Sequence, residues 1–238
     1  MAVIKIERKT YDTLHTIDSF YSYWQENERL ISQEADRLEI ANAPKWQPQT
    51  EEEHGEFDSE KEVARYFHDK EMLPTFRYSS VVMLYAIVEK ELNRLVKNLE
   101  KENGSQKLQL KDIRGEDFIE RIQKFSEVFF GLRLADCPNY KSLHDLRRIR
   151  NCIVHCHGEM GTSKQDSAFS SELRKSRKGI FAREGFTIHL YEPCIEQFIK
   201  EVRRFFEGVF HKLKWPIDDR WKKKAQGMIC VFSKDEID

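Results

Sequence analysis

The sequence predicts an all-α protein: an up-and-down helical bundle with extra N-terminal helices and one small β-hairpin just before the last long helix. Three observations predict it. Charged residues make up 34% of the 238, and apolar residues recur among them at three- and four-residue steps. That is the pattern of helices with one buried stripe and a solvated outer face. Only 10 Gly and 6 Pro punctuate the chain, too few for a many-turned β fold. Hydrophobic residues reach 39% and aromatics 12%, enough to bury a core.

The first long helix is expected over residues 10–41. Leu14, Ile17, Tyr21, Trp24, Ile31, Ala35 and Leu38 form its stripe, Glu28 interrupts it, and Pro44 and Pro48 end it. The acidic residues 50–56 read as an exposed loop. Ser59-Glu60-Lys61-Glu62 has capping-box spacing and opens a short helix to about Met72, with Val63, Phe67 and Met72 inward. Pro74 and Thr75 then precede the most apolar helix, residues 78–99. Its inner stripe is Val81, Leu84, Tyr85, Val88, Leu92, Leu95 and Leu99, a bundle-core pattern.

Residues 101–107 read as a polar loop. Gly115-Glu116-Asp117 starts a helix through Phe118, Ile122, Phe125 and Phe129 that stops at Gly131. Pro138 and Asn139 form a turn, Ser142 caps a helix over residues 143–157, and Gly158 terminates it. The small polar residues 159–178 read as a long mobile loop. Residues 180–182 and 186–191 flank Arg183-Glu184-Gly185 as a hairpin. Pro193 starts the last helix. It runs through Ile195, Phe198, Ile199, Val202, Phe205, Phe206, Val209 and Leu213 to Trp215-Pro216. Beyond it lie the basic Arg220, Lys222, Lys223 and Lys224, then an apolar stretch, 228–232, expected to pack as a strand or bind a partner. The chain divides into an N-terminal helical extension (1–72), a helical bundle (73–214) and a C-terminal tail (215–238).

Net charge is −1, so any nucleic-acid site must be local rather than spread over the surface. The N-terminus carries no long apolar run, and no signal peptide is expected. No stretch approaches the roughly 18 apolar residues of a membrane span. The cysteines Cys137, Cys152, Cys156, Cys194 and Cys230 form no CxxC pair. They are expected as reduced, small apolar residues of a cytoplasmic protein. No P-loop, GxSxG or HExxH motif occurs.

The helix over 143–157 is the most informative segment. On a helical wheel Leu146, Ile149 and Ile153 centre its buried face, with Leu143 and Val154 beside them. His144, Arg148, Asn151 and His155 share the opposite face. Arg150 falls among the apolar group, which is costly unless it is paired or lines a cleft. Its simplest structural explanation is an ion pair with a carboxylate of the 78–99 helix, Glu91 first and Glu89 second. His155-Cys156-His157 with Cys152 superficially suggests a metal. Adjacent helical residues diverge, though, and only Cys152 and Cys156 share a face, so no metal and no cofactor is expected.

The run Leu146-Arg147-Arg148-Ile149-Arg150-Asn151-Cys152-Ile153-Val154-His155-Cys156-His157-Gly158 resembles the motif helix of the HEPN superfamily. That family's signature is Arg, four residues, then His, with Asn after the Arg. Tyr85-x-x-x-Glu89-x-x-Leu92 resembles a pattern in the first long helix of such domains. The resemblance covers roughly residues 75–213. It implies a four-helix up-and-down bundle of HEPN type that dimerises with two motif helices facing each other. Many members are metal-independent endoribonucleases that leave 2′,3′-cyclic phosphate ends. They recur in toxin–antitoxin, phage-defence and RNA-processing systems. By that resemblance the partners are RNA, a second copy of the chain, and an antitoxin or defence-system protein.

The chemistry suits these residues. Attack by the ribose 2′-OH needs one proton removed and one delivered to the leaving 5′ oxygen. Histidine as a residue type titrates near neutrality, so His155 is suited to either job. Arg150 can bind the phosphate through its forked donors. Asn151 can orient the imidazole or donate to the phosphate. Arg150 and His155 point about 140° apart on an ideal helix, so a two-fold dimer is expected to close the site. His144 and Arg148 extend the polar face toward RNA backbone. Arg174, Lys175, Arg177 and Lys178, with Arg183, form a basic patch that could hold phosphates or be plain solvated surface. Two rival readings stand beside the nuclease: a HEPN-like module that binds RNA or protein without cutting, and a structural helical protein with Arg150 in a core ion pair.

Overall fold

The computed structural model describes residues 2–42, 50–51, 53–55, 68–103, 109–160, 164–176, 180–182 and 187–217. Helix α1 spans Ala2–Asn42. It starts earlier than the apolar stripe suggests, because residues 2–9 contain neither Gly nor Pro to break it. Leu14, Ile17, Phe20 and Trp24 are buried and Tyr21 is packed against them. Glu28, which interrupts the stripe, is itself only 4% exposed. Its Oε1 accepts from Nε of Arg77 at 2.9 Å and from Nη2 of the same guanidinium.

A π-helical turn, His68–Met72, runs directly into α2, Leu73–Asn103. The expected break before residue 78 is therefore absent. Pro74 has no N–H to donate, and its ring crowds the carbonyl four residues back. Widening the preceding turn to a π geometry accommodates that defect without ending the helix. His68 fastens this turn to α1, its Nε2 donating to the Ile31 carbonyl at 2.7 Å. The expected capping box at 59–62, with Val63 and Phe67, lies outside the described residues. The α2 stripe expected from the sequence is buried throughout, with Val81, Leu84, Val88 and Leu92 at 0% exposure.

Helix α3, Phe118–Phe130, begins on Asp117, whose Oδ1 accepts from the Glu120 amide at 2.9 Å. It ends on Gly131 at φ 64°, a left-handed cap that costs glycine little. Helix α4, Tyr140–Cys156, starts three residues before the expected first residue, Leu143, and so before the expected Ser142 cap. Asn139 takes the N-cap position at φ 59°, a conformation asparagine tolerates better than most residues. Ser142 is buried inside the first turn, its amide donating to the Asn139 carbonyl at 3.0 Å.

His157 and Gly158 close α4 with φ of 52° and 82°. The Gly158 amide reaches back to the Cys152 carbonyl at 3.1 Å, and its own carbonyl accepts from Ile188 at 2.8 Å. A Cβ at Gly158 would overlap the Tyr78 hydroxyl, which donates to the Ile188 carbonyl. Gly158→Ala is thus expected to lower stability by about 2 kcal/mol or more, combining left-handed strain with a displaced tyrosine. The urea midpoint measures it, and an unchanged midpoint would mean the turn relaxes freely.

The segment 159–178, expected as a mobile loop, contains helix α5, Lys164–Ser176. Phe169 and Leu173, one turn apart, are 4% and 2% exposed. The Arg148 guanidinium lies 3.5 Å over the Phe169 ring, and Lys141 on α4 pairs with Glu172. Two apolar residues among serines are a weak sequence signal, and packing rather than propensity makes this helix.

Strands β1, Ile180–Ala182, and β2, Ile188–Leu190, pair antiparallel with Ile180 opposite Leu190. Arg183-Glu184-Gly185 lies outside the described residues. Helix α6, Glu192–Lys212, carries Pro193 in its first turn and buries Ile195, Phe198, Ile199, Val202, Phe205, Phe206 and Val209.

α2 is central, packing against α1, α3, α4 and α6, and α6 also packs against α1 and α4. One apolar core contains residues of α1 together with those of α2, α3, α4 and α6. The segment expected as an extension before residue 73 therefore supplies a wall of the bundle itself. Thr10 near its start donates to the Pro216 carbonyl at 2.7 Å, joining it to the residues that follow α6. The apolar stretch expected at 228–232 lies outside the described residues.

Candidate functional site

Helix α4 buries Leu143, Leu146, Ile149 and Ile153. That fixes its rotation and turns Arg147, Arg150, Asn151 and Val154 to one edge of the buried stripe. Val154, expected beside the apolar group, is 44% exposed. Arg150 is half-buried. Its Nη1 donates to Asn151 Oδ1 at 2.9 Å, and its guanidinium carbon stands 5.7 Å from the ring centre of Tyr85 on α2. Ring and guanidinium attract through the ring quadrupole.

The expected partner of Arg150 was Glu91, and the structure corrects that expectation. Glu91 accepts from Thr13 Oγ1 on α1 at 2.6 Å and pairs with Arg94 at 3.1 Å. Six residues past Tyr85 places it about 120° around α2, so it faces α1 when Tyr85 faces α4. Glu89, the second candidate, is half-buried and acts on Tyr85 through its charge. Among the described residues no carboxylate pairs with Arg150.

His155 is exposed in the last turn of α4. Five positions after Arg150, it points about 140° away. The structure thus brings Arg150 and Asn151 together and leaves His155 apart from them within one chain. Asn151 turns its carboxamide oxygen to Arg150, so its amide donors are directed elsewhere.

His144 is half-buried, with Tyr140 edge-on at 4.9 Å and Asp117 Oδ2 at 3.9 Å from its Nδ1. Burial pushes its pKa below the usual histidine value, against the pull of Asp117. Arg147 bonds the same Asp117 Oδ2 at 2.7 Å. Sequence reasoning missed this Asp117–Arg147 pair and also the place of Tyr85. The signal available was that Arg147 and Arg150 lie three residues apart and so share an edge.

Arg148, expected to contact RNA, stacks on Phe169 at an exposed position. Lys175 is exposed on α5 and Arg174 lies in the same helix. Arg177 and Lys178 lie outside the described residues. Cys152 donates to the Glu159 carbonyl at 3.1 Å, Cys156 is exposed, and Cys137 and Cys194 are buried. Cys230 lies outside the described residues. Among those described, no three His, Cys, Asp or Glu side chains converge as metal ligands would, and no helix is long and apolar enough to cross a membrane. No protein-family model matches the chain, and neither a curated protein nor a solved structure matches it.

Proposed function

We propose that the chain is a metal-independent endoribonuclease of HEPN type, working as a homodimer through α4. The 2′-hydroxyl attacks the adjacent phosphorus and the bond to the 5′ oxygen breaks. The products are a 2′,3′-cyclic phosphate and a 5′-hydroxyl. His155 serves as acid or base for the two protons that move, Arg150 binds the phosphate, and Asn151 holds Arg150. His144, Arg148 and Lys175 lie near enough in sequence to the motif to contact the RNA backbone. The setting proposed is cytoplasmic, in a toxin–antitoxin or phage-defence system with a cognate inhibitor protein.

One observation carries the reading. Arg150 is half-buried and meets an amide oxygen and an aromatic ring, but no carboxylate among the described residues. A partly desolvated guanidinium without a counter-charge is a receptor for an anion, and its fork fits phosphate oxygens. The ion pair that would have explained Arg150 structurally does not form with Glu91, which is committed to Thr13 and Arg94.

The test uses purified protein and a mixed-sequence RNA in EDTA. Cleavage is expected to persist, to yield cyclic phosphate ends, and to stop when the nucleotide at the cut carries 2′-deoxyribose. Loss of cleavage in EDTA, or cutting of the deoxy substrate, overturns the mechanism. RNA binding without any cutting selects the alternative, a non-catalytic RNA- or protein-binding module.

A further inference from the structure

We infer that the Tyr85 hydroxyl is a second hydrogen-bond donor to the phosphate held by Arg150; the inference rests on the phosphate-binding role proposed for that arginine. Tyr85 projects from the middle of α2 with its side chain 3% exposed. The ring is locked in the core beside Val81, Leu84 and Val88. Its hydroxyl nevertheless forms no hydrogen bond among the described residues, and it is not one of the sealed polar atoms left unsatisfied inside the protein. The hydroxyl is thus not sealed off, and its ring lies between α2 and α4, under Arg150.

No other described tyrosine is as deeply buried as Tyr85. The Tyr78 hydroxyl is satisfied by the Ile188 carbonyl and that of Tyr21 by Glu196. A buried tyrosine normally spends its hydroxyl on a partner. Holding a donor without one, on a ring that packing makes rigid, is the arrangement expected of a group kept for a ligand.

The charges facing it are mixed. Arg147 and Arg150 come from α4, Asp117 from the start of α3, and Glu89 from α2 itself. Asp117 is committed to Arg147 and to the α3 cap. Arg150 is thus the cation left to bring an anion to this hydroxyl. Burial, with Glu89 next, pushes the Tyr85 pKa up to about 12. The group keeps its proton at neutral pH and can donate it in a hydrogen bond, and it is no candidate for the base.

Tyr85→Phe tests this, because it removes the oxygen and keeps the ring under Arg150. With the full chain, cleavage of RNA and binding of the uncleavable 2′-deoxy oligonucleotide are measured beside the melting temperature. The expected result is a 10- to 100-fold loss in kcat/KM, the range of a hydrogen bond to a charged group. Weaker binding of the deoxy oligonucleotide and a melting temperature within about 1 °C of wild type should accompany it, since no internal bond is lost. Unchanged kcat/KM and binding overturn the inference, as does a loss matched by a large fall in melting temperature. Arg150→Lys, assayed in parallel, separates the two ideas. If Arg150→Lys is impaired and Tyr85→Phe is not, only the tyrosine's role fails. If wild type neither binds nor cuts RNA, the nuclease reading fails and takes this inference with it.

Discussion

Arg150→Ala and His155→Ala are each expected to reduce cleavage at least about a hundredfold, the size of a lost transition-state donor or a lost acid–base group. An equimolar mixture of the two variants, after subunit exchange, is expected to recover about a quarter of wild-type activity. The reason is geometric. Arg150 and His155 diverge by about 140° on one helix, so in the proposed homodimer each site is expected to take its arginine from one protomer and its histidine from the other. A mixed dimer then contains one intact site and one doubly damaged one. Half the dimers are mixed, and half their sites work. No recovery on mixing, with both variants folded and dimeric, would show that one protomer supplies both groups. Full activity in either variant alone would remove that residue from the site.

The largest expected effect on stability comes from Arg77→Met. Arg77 and Glu28 have side chains only 14% and 5% exposed, and Arg77 Nη1 also donates to the Leu190 carbonyl on β2 at 3.2 Å. One guanidinium thus ties α1, α2 and the hairpin together. The Glu28 Oε2 atom is already buried without a partner. Removing Arg77 would leave both carboxylate oxygens so, a cost of about 3–5 kcal/mol. For a chain of this length the melting temperature should fall by roughly 10 °C. Adding Glu28→Leu to Arg77→Met should restore most of the loss, because a buried pair replaced by apolar groups is often neutral. Urea unfolding of the four proteins in the double-mutant cycle measures it. A loss under about 1 kcal/mol for Arg77→Met would show that water reaches the pair.

Some of this was legible in the chain and some was not, for reasons particular residues make plain. The α2 stripe from Val81 to Leu99 and the α6 stripe from Ile195 to Val209 repeat with the helical period over several turns, and every position in them is buried. Gly131 and Asp117 announce the ends of α3 because each cap needs a distinctive residue. Asn139 was harder. An asparagine at φ 59° and a serine three residues later are both plausible helix starts, and local propensity does not choose between them. The buried apolar residues that signal helix α5 are Phe169 and Leu173, a signal that gains meaning only once the α4 surface beneath them exists. Glu28 stood out as a charge in an apolar stripe. Its partner lies 49 residues away, beyond any local pattern.

The candidate site divides in the same way. By itself the sequence determined a mainly helical chain, which faces of its helices are apolar, and that Arg150 falls within one such face while Asn151 and His155 lie on the opposite one. Hydrophobic periodicity contains that much, because it records which side of a helix leaves water. It does not record which neighbour that side meets. Tertiary packing decided that, by setting the rotation of α2 against α1 and α4. A turn of about 120° separates Tyr85 from Glu91 on α2. It gives Glu91 to Thr13 and puts an aromatic ring, not a carboxylate, beneath Arg150.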